Sequence, residues 1–67
     1  MPERRITILL ADGYPMMLAG LRKLLERDFQ VVGAVTDGRA LLEVAEAERP
    51  DLVIAEISMP GFDGIEI

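Results

Sequence analysis

Two carboxylates stand where this chain could do chemistry. Asp12 ends the apolar run Ile6-Thr7-Ile8-Leu9-Leu10-Ala11, and Glu56 ends the run Leu52-Val53-Ile54-Ala55. Behind Glu56, after Ile57 and Ser58, comes a string of turn formers, Met59-Pro60-Gly61-Phe62-Asp63-Gly64. An acid at the C-terminal end of a buried strand, followed by a Pro/Gly loop, lies where open parallel α/β sheets bind ligands. The question is whether Asp12 and Glu56 form one site.

Composition narrows what such a site could do. The chain has no His and no Cys. Without them it lacks the usual neutral-pH acid/base and the commonest metal ligand, and it can form neither a disulfide nor a thiolate metal site. Ser-His-Asp, Cys-His and zinc-hydrolase chemistry are therefore excluded within these residues. Neither G-x-x-x-x-G-K-[ST] nor G-x-G-x-x-G occurs, so a nucleotide enzyme is the weakest reading. The chain is not expected to be an enzyme.

At 67 residues there is at most one domain, and a chain of that size buries only about 60% of its unfolded surface. Hydrophobic residues make up 51% and charged residues 28%, a globular composition rather than a disordered one. The net charge of -5 is uneven. Residues 1–33 carry five basic against four acidic groups, net +1, whereas residues 34–67 carry two against eight, net -6. So acidic a second half repels phosphate backbones, and nucleic-acid binding by this segment is not expected. No apolar run approaches membrane-spanning length, so a soluble, cytoplasmic chain is expected.

The elements that must position the two acids follow from periodicity. Residues 6–11 are β-branched and almost continuously apolar, as in a parallel strand covered on both faces. Pro15 suits a first helical turn, and Met17, Leu18, Leu21, Leu24 and Leu25 recur at helical spacing as an inner stripe. Gly20 interrupts that helix at about 1 kcal/mol relative to Ala, and close backbone packing is the expected reason. Thr36-Asp37-Gly38 supplies a turn and an N-cap candidate for a second helix whose inner stripe is Leu41, Val44 and Ala45, helped by Ala40 and Ala47. Pro50 ends that helix by disfavouring the helical conformation at Arg49.

The order is β-α-β-α-β, with connections long enough for right-handed crossovers and a parallel sheet. Strands are expected at about 5–11, 30–35 and 51–56, and helices at about 15–27 and 38–48. Ile65-Glu66-Ile67 resembles the first turn of a third helix.

Two segments together resemble the receiver domain of two-component response regulators. One is Ile8-Leu9-Leu10-Ala11-Asp12-Gly13-Tyr14-Pro15, similar to that family's first strand and acidic pair. The other runs from Asp51 to Gly64 and is similar to the phosphoacceptor strand and its Met-Pro-x-x-Asp-Gly loop. Val31-Val32-Gly33 and Asp37-Gly38-Arg39-Ala40-Leu41-Leu42 look like the subgroup with a C-terminal LuxR-type helix-turn-helix. The resemblance covers essentially all of 1–67 and implies the N-terminal part of a flavodoxin-like, three-layer α/β/α receiver.

What it implies for the site is a phosphoryl group passed from a sensor histidine kinase to an acceptor carboxylate, with Mg2+ held by carboxylates and one backbone carbonyl. By position the acceptor is Glu56, the metal ligands are Asp12, Glu56 and the Ser58 carbonyl, and Gly13 stands where the second acid of the pair would be. Glutamate replaces the family's aspartate and carries its carboxylate about 1.5 Å further out. Gly13 removes a metal ligand. The resemblance thus implies a truncated, degenerate receiver that binds Mg2+ weakly and is not phosphorylated, from a parent that binds DNA. The alternatives are an active phosphoacceptor using Glu56 with Mg2+, and a purely structural piece that pairs with another chain. Strand 52–55, left with a bare edge, is expected to form a homodimer or another edge pairing.

Overall fold

The computed structural model describes residues 5–56 and Met59. The elements are β1 (Thr7–Ala11), α1 (Pro15–Leu25), β2 (Gln30–Val35), α2 (Gly38–Glu48) and β3 (Leu52–Ala55). The three strands form one parallel sheet in the order β2-β1-β3. A continuously apolar strand needs cover on both faces, and β1 has it. Ile8 and Leu10 face α1, against Leu18, Leu21 and Leu25 with Phe29, Val31 and Ala34. Leu9 and Ala11 face the other way, against Leu41 and Met59 with Val32, Val44 and Ala45. Helices on both faces of a parallel sheet in this strand order make the fold the first part of a flavodoxin-like α/β/α domain.

Local chemistry sets the helix ends. The Asp37 side chain accepts a hydrogen bond from the Ala40 N–H at 2.8 Å, an N-cap on α2. Pro15 opens α1, and the side chain of the N-cap residue Tyr14 makes no capping hydrogen bond. Expected ends and observed ends differ by a residue or two. Instead of reaching residue 27, α1 stops at Leu25, and the N–H groups of Asp28 and Phe29 in the turn that follows both donate to the Leu25 carbonyl, at 3.1 and 2.8 Å. Likewise β1 starts at Thr7 rather than at residue 5, and β3 spans Leu52–Ala55 rather than 51–56. Pro50 does keep Arg49 out of the right-handed helix, but Arg49 goes left-handed (φ 47°) and its N–H caps Ala45 at 2.9 Å.

The α1 stripe is narrower than its spacing implies. Leu18 is buried and Leu21 and Leu25 half-buried, whereas Met17 and Leu24 are 55% and 68% exposed. The helix lies over β1 and β2 only, which covers one side of so wide a stripe. Ala47 on α2 is exposed for the same reason. Gly20 also departs from expectation: among the described residues a Cβ there would meet nothing within 4 Å, so no packing among them calls for glycine. Gly33 is the glycine that packing requires, since a Cβ would come within 3.0 Å of both Leu9 and Val44. It lets α2 settle onto the sheet beside a register shift between Ile8 and Leu9.

Candidate functional site

The register of the β1–β3 pair decides whether the two acids meet. Ile8 pairs with Leu52, Leu9 with Val53, Leu10 with Ile54 and Ala11 with Ala55. One step on, the Glu56 N–H donates to the Ala11 carbonyl at 3.0 Å, so Asp12 and Glu56 leave adjacent strands side by side.

Each is held by its own backbone. Asp12 is 8% exposed, and its N–H continues the sheet by donating to the Val35 carbonyl at 3.0 Å. Its Oδ1 accepts the Tyr14 N–H at 2.9 Å. That side-chain bond two residues ahead is an Asx turn, which swings the chain out of β1 into α1. It also fixes the carboxylate at the C-terminal end of β1. Glu56 is exposed, and its carbonyl accepts the Met59 N–H at 3.1 Å. Met59 is buried at 3% exposure against Leu9, Ala11 and Leu41, so the start of the loop is anchored in the core. The spacing of the loop motif gave no sign that its methionine serves as a packing anchor. The Tyr14 backbone was equally invisible, because Asx turns are set by conformation rather than residue type alone.

Asp37, the third acid at this end of the sheet, is engaged as the α2 cap. Gly13 offers no carboxylate, and Ser58 and residues 60–67 lie outside the described residues. Among the described residues no group of three or more His, Cys, Asp or Glu side chains could hold a metal ion. The arrangement is therefore a two-carboxylate site, with one carboxylate buried and oriented and the other exposed. Mg2+ is commonly held by one or two carboxylates with water completing the shell, so Asp12 and Glu56 fit that ion in kind.

At the opposite end the same two strands are stitched by side chains. Asp51 Oδ2 accepts from the Thr7 N–H at 2.8 Å and from Thr7 Oγ1 at 3.0 Å. In return the Asp51 N–H donates to Thr7 Oγ1 at 2.9 Å. Arg5 secures the turn after α1 by donating to the carbonyls of Glu26 and Phe29 at 2.8 and 2.9 Å.

A family model, the response regulator receiver domain, matches residues 8–67. The chain belongs to the response regulator receiver family. Among relatives, the nitrate/nitrite response regulator protein NarL of Escherichia coli K12 is 40% identical over 62 residues, 90% of this chain and 29% of NarL. The nitrate/nitrite response regulator protein homolog of Haemophilus influenzae is 34% identical over 66 residues, 96% of this chain and 32% of that protein. The DNA-binding transcriptional activator EvgA of Escherichia coli K12 is 30% identical over 60 residues, 88% of this chain and 29% of EvgA. This receiver thus spans about a third of the length of the curated relatives it matches. Its Asp12–Glu56 pair lies within the matched region, at the sheet end where the topology places a ligand site. Among the described residues no helix is long and apolar enough to cross a membrane.

Proposed function

We propose that the chain is the N-terminal part of a degenerate receiver from a DNA-binding, two-component transcriptional regulator of the LuxR type, acting in the cytoplasm as a signalling module that does not accept phosphate. The observation that carries this reading is the register that sets Glu56, rather than an aspartate, beside Asp12, with Gly13 next in line. The extra methylene moves the reacting oxygen by about 1.5 Å, and misplacement by about 1 Å already costs on the order of 100-fold. When bound, Mg2+ would supply charge neutralisation at the acidic pair. Asp12, held by the Tyr14 N–H, and Glu56 are the side chains that would hold it, with the Ser58 carbonyl as the third donor. Glu56 is a poor stand-in for a phosphorylated acceptor, because a carboxylate has less charge and fewer acceptor oxygens.

Partners follow from the same reading. A sensor histidine kinase is the family's phosphoryl source, and its productive engagement here is discounted with the acceptor. Among the described residues β3 is the outermost strand on its side of the sheet, and its outer edge is the surface where a further strand would add. Half-exposure of Leu52, Val53 and Ile54 supports that pairing. The alternative, an active acceptor at Glu56, has the shared sheet end in its favour.

Calorimetric titration with Mg2+ tests the site directly. The native chain should show only weak, millimolar-range heat, and Gly13→Asp should tighten binding by about tenfold, the effect of restoring one carboxylate ligand. Tight binding by the native chain would overturn the degenerate reading.

A further inference from the structure

We propose that Met16 and Met17, in the first turn of α1, are a modification site at which a hydroperoxide oxidises exposed thioethers to sulfoxides, while the fold keeps Met59 reduced. The three methionines among the described residues stand at opposite extremes. Met16 is 88% exposed and Met17 55%, whereas Met59 is 3% exposed, packed in the core with Leu9, Ala11 and Leu41. The side chains are chemically identical, so access of the oxidant to sulfur is what separates them.

Gly20 widens that access. Met16 and Met17 stand four and three residues before it, so all three share one side of the helix. Helical side chains lean toward the N-terminus, and each covers the surface over the turn that precedes its own Cα. The side chain that Gly20 lacks is therefore the one that would cover Met16 and Met17. Among the described residues a Cβ at Gly20 would meet nothing within 4 Å, so nothing else fills the gap. What remains is an open groove of about 490 Å³, lined by the two methionines with Tyr14, Gly20, Leu21 and Leu24. Its lining carries no charged side chain, which suits a small neutral oxidant such as hydrogen peroxide.

The step balances without a further reagent. A sulfur lone pair attacks one peroxide oxygen, the O–O bond breaks, and the departing hydroxide takes the proton from the new S–OH group to leave as water. Sulfur is oxidised by two electrons and the peroxide is reduced. The product is a polar, chiral sulfoxide that thiol-dependent methionine sulfoxide reductases can return to the thioether. An apolar surface thus becomes polar in the turn where the Leu18 N–H donates to the Tyr14 carbonyl at 3.1 Å, next to the residue whose N–H holds Asp12. The proposal is independent of whether Glu56 accepts phosphate.

Timed exposure of the whole 67-residue chain to dilute hydrogen peroxide, followed by tryptic peptide mass mapping, tests it. Cleavage after Arg and Lys separates Met1, the Met16–Met17 pair and Met59 onto different peptides, and fragmentation resolves the pair. Met16 and Met17 should each gain one oxygen at least about tenfold faster than Met59, which reacts only when the core opens. Concentrated urea should abolish that difference. Gly20→Leu should slow Met16 and Met17 by about twofold or more and leave Met59 unchanged, with the smaller Gly20→Ala slowing them less. The thermal midpoint of neither variant should fall, since both side chains enter open space. Native Met59 oxidising as fast as Met16 would overturn the proposal, as would a difference that survives in urea. Rates at Met16 and Met17 unchanged in both folded variants would overturn the role of Gly20.

Discussion

β1 and β3 lie side by side in one sheet, both are short and apolar, and both end in an acid, yet their surroundings are opposite. Leu9 and Leu10 are fully buried, with a helix over each face of β1. Leu52, Val53 and Ile54 are 48%, 47% and 43% exposed, since α1 and α2 both lie over β1 and β2. The same contrast extends to the acids: Asp12 is buried and tied to Tyr14, while Glu56 is exposed. Composition makes a strand, but position in the layer order decides whether it is core or acceptor surface.

That contrast can be broken most forcefully at the core. Leu10→Ala should cost about 2–5 kcal/mol, enough to unfold a domain this small, and loss of the far-ultraviolet circular dichroism transition would show it. Second in size is the side-chain seam between the strands. Asp51→Ala removes both bonds to Thr7 and should lower stability by about 1–2 kcal/mol in urea melts. If it cost nothing, the seam would be incidental. Gly20→Ala should act in the other direction and raise stability by about 1 kcal/mol, measured in dilute solution. The smallest effect belongs to β3. Val53→Thr keeps the β-branched shape on an exposed strand and should change stability by no more than about 0.5 kcal/mol. A loss comparable to that of Leu10→Ala would mean that β3 is covered in solution.

Much of this was legible from residue order. The apolar runs, Pro15, Asp37 and Pro50 place all five elements, because strand cover, helix entry and capping are local. The adjacency of Asp12 and Glu56 was less local: it needed the strand order, which came from the family resemblance, and the register then supplied it. What stayed hidden depends on three-dimensional neighbours. Met17 and Leu24 share a period with Leu18 and Leu21, and nothing in the period says which side of the stripe the sheet reaches. Gly20 and Gly33 look alike as letters, but only Gly33 has Leu9 and Val44 against it. The Thr7–Asp51 clasp joins residues 44 apart, beyond any sequence-local signal.

The central claim is that β3 delivers the wrong acid to a receiver site. Incubating the native chain with acetyl phosphate and Mg2+, then measuring its intact mass, tests that claim most directly. The account predicts an unchanged mass. A gain of one phosphoryl group, mapped to Glu56, would contradict it.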